Sequence, residues 1–534
     1  MFRNCYNLIL IIILAFVLGS CRGKEYFESI LTQDTSTIKY PVKINPLTLD
    51  PAKVTDYQTR DVLIQIYEGL VKYDANNKIV PAIAKSWKHS KDGRSFTFKL
   101  RPNGKFHNGK EVTAEDVKWS FERACWPKMY SPTADNFLSD IQGVKDCLAG
   151  KTKTIQGIKV IDRLTIRFNL EKPCFYFPSK LTVPVASILP KNCVPETEIT
   201  SPGHAIGTGA FKLDEFHPHQ LIILKANKNY YEKFGDVKKV EISILPDSVL
   251  STKRYQRGEF NFCYVPPFEI LNIKNDEKYN KELKIFKRAA IYYLELNPST
   301  YAPFQDERIR KAFCLSIDRD YLANGVARGM ILPAKNIVYS DKKQDEHKEL
   351  NLGFNPKRAR ELLKEAGYPN PKSLPPLEVY SYQNASGTKI MSENLIVQLN
   401  TNLGIRVKLK EVAYGMYVQK LQRREIPIRY AGLVADYLDP AQFLKDYFSS
   451  DSRLNRCAYS NPEFDKLCNL ADNLHKGPKR DTLYNQAEKI LLKDCCVLPI
   501  FYSINAYLIQ KDIQGWQFNA LGMMPFNKIT FKKS

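Results

Sequence analysis

A chain of 534 residues exceeds one ordinary domain, and at roughly 150 residues per domain it predicts about three lobes. With 44% hydrophobic and 25% charged residues it sits near the soluble globular average, which excludes a disordered chain and a membrane bundle. Lys and Arg outnumber Asp and Glu by 79 to 57, yet no run of five or more basic residues marks a nucleic-acid arm, so the +22 charge reads as a basic, solvated surface.

The chain opens with Arg3, an apolar run from Leu8 to Leu18, and then Leu18-Gly19-Ser20-Cys21. The run is too short to span a bilayer, which takes about 20 apolar residues, and suits a secretory signal over residues 1–20. The small residues before Cys21 resemble the lipobox of bacterial lipoproteins. That resemblance implies a thiol acylated after cleavage and a soluble body tethered to membrane lipid through Cys21, with a linker over residues 21–37. Ten of the twelve cysteines then remain in an oxidising location, where disulfides are permitted; proximity allows Cys125 with Cys147 and Cys174 with Cys193. The pair His217-Pro-His219 has no companion at zinc-site spacing and reads as loop, and no metal or other cofactor is implied.

A strand is expected at Tyr40–Ile44, followed by an extended turn forced by Pro46 and Pro51. Val62, Ile64, Ile66 and Tyr67 predict a helix that stops at Gly69. Strict alternation makes Ser95–Leu100 a half-buried strand with Phe96, Phe98 and Leu100 inward. Thr113 and Asp116 form a capping box for a helix burying Val117, Phe121 and Ala124. Ile158–Leu170 alternates as a strand, and Val240–Leu245 as another. Asp306 caps a helix carrying Ile309, Ala312 and Phe313, and Asp318 one with Tyr321 and Leu322. Asn355-Pro356 begins a helix ending at Gly367, Asn461-Pro462 another, and Cys496–Tyr502 is a buried strand. The fold class is α/β.

Several blocks in this order resemble the family 5 solute-binding proteins of ABC transporters, the oligopeptide- and dipeptide-binding class. They are Leu49-Asp50-Pro51 with Tyr67-Glu-Gly-Leu70; Pro81–Trp87, Asp92-Gly93, Phe96–Arg101, Lys105–Gly109 and Thr113–Val117; Phe304–Ala312 with Ile317-Asp-Arg319; and Ala435-Asp-Tyr437 with Pro440. The resemblance implies a two-lobed periplasmic-binding-protein-like fold (class II, cluster C) that encloses its ligand and carries an extra inserted α/β lobe. The expected division is 38–70, 195–287 and 501–534 for the first lobe, 71–194 for the insertion and 288–500 for the second lobe.

The same resemblance implies that Asp436 pairs with a peptide α-amino group, a carboxylate in a water-poor cleft being suited to an ammonium. It also implies that Gly432, Val434, Thr55 and Tyr57 lend backbone groups to the peptide. Asp439 is expected to cap the following helix instead. Relatives often carry Arg-Ala-Gly-Trp-Cys before the aspartate, whereas this chain reads Tyr430-Ala-Gly-Leu-Val434. Arg429 is one place early, on the opposite strand face, while Tyr430 and Tyr437 either line side-chain pockets or pack.

The implied partners are a peptide, the permease subunits of an ABC importer and membrane lipid, with no nucleic acid, for a monomer held at the periplasmic or cell-surface side. No G-x-S-x-G, H-E-x-x-H or phosphate-loop motif supports an enzyme. A dipeptide, glutathione, haem, sugar or metal chelate as ligand, and an adhesive surface lipoprotein, are the alternatives.

Overall fold

The computed structural model describes residues 36–340, 347–382 and 386–532. The expected signal, Cys21 and nearly all of the 21–37 linker lie outside them. Among the described residues no helix is long and apolar enough to cross a membrane.

One main lobe rests on a four-stranded sheet in the order Thr37–Val42, Lys239–Ile244, Leu221–Ala226 and Phe211–His217, parallel at the first pair and antiparallel at the other two. Ile38 and Tyr40 turn inward with Val240 and Ile242, as period-two alternation requires. Against it lies the helix Tyr57–Ile66, whose first turn is capped by Asp56 accepting from the Thr59 N–H at 2.8 Å. The helix ends at Tyr67 rather than at Gly69. Gly69 serves close packing, because a Cβ there would meet the Leu181 carbonyl at 2.7 Å.

A second, antiparallel sheet runs Ala84–His89, Ser95–Leu100, Thr165–Asn169 and Ile158–Asp162. Residues 158–170, expected as one strand, form a hairpin: the Asp162 carboxylate accepts from the Leu164 N–H at 2.8 Å and turns the chain, while Ile158, Ile166 and Phe168 remain inward. Helix Ala114–Cys125 carries the expected reciprocal capping box of Thr113 and Asp116 and buries Val117, Phe121 and Ala124. This unit is fastened to the first lobe by a fully buried pair. Arg123 Nη2 donates to Asp50 Oδ2 at 2.5 Å, and the same oxygen accepts from the Ile199 N–H at 2.9 Å. The Leu-Asp-Pro block is therefore a structural lock.

The third sheet has the order Phe262–Tyr264, Val497–Ile509, Leu283–Leu296, Ile428–Val434, Leu377–Tyr382 and Val407–Val412, with Ile331–Pro333 also on Val497–Ile509. Its two longest strands are antiparallel and cross between the main lobes. Leu283–Lys287 pairs with Ile504–Leu508 beside Phe262–Tyr264, whereas Ile291–Glu295 pairs with Val497–Tyr502 beside Ile428–Val434. Between Lys287 and Ile291 the register slips. Helices Glu307–Leu315 and Pro356–Glu365 bury Ile309, Phe313, Leu362 and Leu363 in the second main lobe's core. The Asp318-capped segment is one turn, Arg319–Tyr321, running into a wide turn at Leu322–Val326, with Leu322 buried and Tyr321 exposed. The expected strand Cys496–Tyr502 begins one residue later and runs further, as the 13-residue strand Val497–Ile509.

The ten described cysteines are all free thiols, so the pairings of Cys125 with Cys147 and Cys174 with Cys193 are absent. Nine of the ten are buried and behave as small apolar side chains.

Candidate functional site

Strand Ile428–Val434 positions the site. Ala431 and Leu433 are buried on one face, while Tyr430, Gly432 and Val434 turn to the other and line two adjoining cavities. One edge of the strand is laddered to Leu283–Leu296 throughout. The other pairs with Leu377–Tyr382 only at Ile428 opposite Val379, so from Tyr430 onward that backbone edge is in no ladder among the described residues. An open strand edge along a cavity wall suits an extended chain, which would take up the free N–H and C=O groups.

The larger cavity, about 750 Å³, is lined by Thr55 and Tyr57 of the first lobe and by Gly432, Val434 and Asp436 of the second. Asp436 is held by Gln442. The Asp436 and Tyr437 backbone N–H groups donate to Gln442 Oε1 at 3.0 Å each, and Gln442 Nε2 donates to Asp436 Oδ2 at 3.1 Å. Burial pushes the Asp436 carboxyl up to about 6, Asp446 adding to the rise, while Arg60 and Gln442 pull it back. The Arg60 guanidinium is engaged elsewhere, donating to Asp61 Oδ1 at 2.8 Å and to the Leu521 carbonyl at 2.8 Å. A desolvated carboxylate held in place in this way gains most from a cation brought by a ligand.

The smaller cavity, about 490 Å³, shares Tyr57 and Val434 with the first and is walled by Tyr40, Tyr264, Tyr292, Tyr430, Phe501 and Tyr507. Tyr292 packs against both Tyr430 and Phe501, with ring centroids 5.7 and 4.8 Å away and planes within 19°, and those two rings also touch each other at 6.3 Å. Lys43 stands 4.3 Å over the Tyr264 ring, and burial lowers its ammonium below the ordinary lysine range. A third cavity of about 430 Å³ lies away from this strand around Glu68, Lys72 and Tyr230, whose charged groups are bonded to one another.

The expected residues thus divide. Asp436, Gly432, Val434, Thr55 and Tyr57 share one cavity and Tyr430 lines its neighbour. For Tyr437 the outcome is packing and not pocket lining, and Arg429, on the face that strand alternation gives it, is no ligand contact. Tyr437 lines neither cavity: it is fully buried, its hydroxyl donates to Asp446 Oδ2 at 2.5 Å, and its ring stacks 6.2 Å from Tyr176. Arg429 projects from the opposite strand face and is held by Glu295, Nε and Nη2 donating at 2.5 and 2.9 Å. Asp439 caps Pro440–Phe443 and receives a bidentate, buried guanidinium from Arg480 at 2.7 and 3.0 Å. Sequence reasoning did not single out Gln442, Arg288 or Tyr292. The only available sign of Arg288 was a cation ahead of the apolar run 289–294.

A profile of the bacterial extracellular solute-binding proteins, family 5 middle region, matches residues 78–455. The periplasmic oligopeptide-binding protein OppA of Salmonella typhimurium is 31% identical over 487 residues, 88% of this chain and 87% of its own. Among solved structures, the Escherichia coli murein tripeptide binding protein MppA aligns with a TM-score of 0.77 at 26% identity, covering 94% of this chain and 99% of that one. Peptide-bound OppA of Listeria monocytogenes aligns at 0.73 and 27% identity, covering 94% and 100%. With its two-lobed fold and a ligand-sized cleft at the lobe crossing, the chain belongs to the bacterial extracellular solute-binding proteins of family 5.

Proposed function

We propose that this protein captures peptides in the cleft between its main lobes and hands them to the permease of an ABC importer, without catalysis. The observation that carries the reading is the juxtaposition of a desolvated carboxylate, Asp436, with the unladdered backbone edge that runs from Tyr430 to Val434. A peptide α-ammonium at Asp436 and main-chain bonding along Gly432 and Val434 would hold the chain without reading its side chains. Thr55 and Tyr57 face the same space from the other lobe, so a ligand touching both sides stabilises the closed form. The relatives named above for oligopeptides and a murein tripeptide support the ligand class. Cys21 is proposed as the acylated anchor, keeping the monomer beside the membrane.

The test is calorimetry with a peptide identified by mass spectrometry of what co-purifies, together with its N-acetyl form. Acetylation removes the ammonium and is expected to cost at least 30-fold in affinity, the effect of about 2 kcal/mol for a buried charge pair losing one partner. Equal affinity for both forms would overturn the role of Asp436, and a co-purifying ligand without a peptide bond would overturn the ligand class.

A further inference from the structure

The strand crossing between the lobes carries a buried cation whose hydrogen-bonding capacity is not met within the chain. Arg288 is 7% exposed, and its Nε and Nη2 are buried without a hydrogen-bond partner. Among the described residues it makes no ion pair. A carboxylate that feels its charge, Asp61, makes no hydrogen bond or ion pair with it and is engaged by Arg60 through two bonds to Oδ1 at 3.1 and 2.8 Å. Leaving a guanidinium buried and unpaired costs several kcal/mol in a folded protein, so a partner from outside the chain is the natural completion.

The local backbone aims this side chain. Arg288 lies where the crossing strands lose register, Lys287 opposing Ile504 and Ile291 opposing Tyr502, so that residues 288–290 face Ser503 alone. Such bulges redirect a side chain out of the ladder. The Ala289 N–H is instead bonded to the Ala520 carbonyl at 2.8 Å, and the Ala289 carbonyl accepts from Ala435 N–H at 2.8 Å. That second bond sets the bulge beside the segment carrying Asp436. The guanidinium lies 4.1 Å from the centre of the Tyr57 ring, which orients its plane, and it lines the smaller, aromatic cavity. Opposite it stands Gly522, where a Cβ would come to 3.6 Å from Nε and 3.7 Å from Asn505 Nδ2, so Gly522 adds no side chain of its own over the fork and the neighbouring amide is a second hydrogen-bond donor.

We propose that Arg288 is a receptor for a carboxylate on the ligand, so that this cleft selects peptides with an acidic group lodged in the aromatic cavity while the ammonium sits at Asp436. This rests on the peptide reading above. The planar fork accepts a carboxylate through two parallel bonds, and Tyr57 and Val434, common to both cavities, mark the point where the ligand passes between the charges. The carboxylate is the peptide C-terminus or an acidic side chain.

The test uses pools of tri-, tetra- and pentapeptides as free acids and as C-terminal amides, followed by calorimetry on the retained peptides with each carboxylate amidated in turn. Wild type is expected to lose at least tenfold in affinity on amidation of one carboxylate, and which one identifies its source. Arg288→Gln is expected to bind the acid and the amide within threefold of each other, and its ligand-free Tm should not fall, since a purely structural arginine would be missed. Arg288→Lys, which keeps the charge but not the fork, should recover part of the discrimination. Equal discrimination by wild type and Arg288→Gln would overturn the proposal, as would a wild type indifferent to amidation. Binding that survives N-acetylation but not amidation would sink the Asp436 reading and leave Arg288 standing; binding of no peptide in either pool would remove both.

Discussion

Replacing Asp436 by Asn separates what the carboxylate costs the empty protein from what it contributes to the complex. Burial lifts the carboxyl from 3.8 to about 6, and at about 1.36 kcal/mol per pH unit the ionised form costs the folded, empty protein about 3 kcal/mol. The folded state binds the proton more tightly than the unfolded chain, so this contribution is nil below pH 4 and grows as the pH rises through the window from 4 to 6. It is fully present above that. Asn retains an oxygen to accept from Gln442 Nε2 and carries no charge, so ligand-free Asp436→Asn should be more stable than wild type at pH 7.5 and equal to it near pH 4. The complex should respond in the opposite sense: losing the ammonium's partner costs about 2–5 kcal/mol. Wild-type affinity should itself fall as the pH drops through 6, whereas the variant should be flat between pH 7.5 and 5. Denaturant unfolding at three pH values and calorimetry with a co-purified peptide measure both halves. A variant that binds like wild type, or one less stable when empty at pH 7.5, would refute the reasoning.

Gly432→Ala should cost at least tenfold in peptide affinity by calorimetry. Its Cβ would lie 2.6 Å from Tyr292 Cε1, and that ring belongs to a three-ring cluster with Tyr430 and Phe501, so relief shifts the cavity wall at a strain of about 1.5–3 kcal/mol; wild-type affinity would count against it. Asp50→Asn should lower unfolding free energy by about 3–5 kcal/mol, because the buried Arg123 charge is left uncompensated. Faster hydrogen exchange at residues 195–199 should accompany it, and a loss under about 1 kcal/mol would show that the lock is dispensable.

Local chemistry made much of this protein legible in advance. The capping box at Thr113 and Asp116, the inward row Phe96, Phe98 and Leu100, and the cap at Asp439 need only neighbours within a few residues, and each appears where the pattern put it. Where a pattern is compatible with two backbones, periodicity alone was insufficient. Residues 158–170 alternate equally well as one strand or as a hairpin, and the choice was made by the Asp162 carboxylate capping its own turn. Gly69 looked like a stop and is a point of close approach to Leu181, 112 residues away.

The cleft divides in the same way. The motif around Asp436 and the alternation that sends Arg429 away from the cavities were written in the chain, because strand geometry turns neighbouring residues to opposite faces. That Tyr437 is buried against Tyr176, and that Arg288 is turned out of its ladder by a register slip with Nε and Nη2 buried and without hydrogen-bond partners, follows from contacts between segments far apart in sequence. Which polar groups find partners inside the fold, and which remain for a ligand, is decided only when those segments meet.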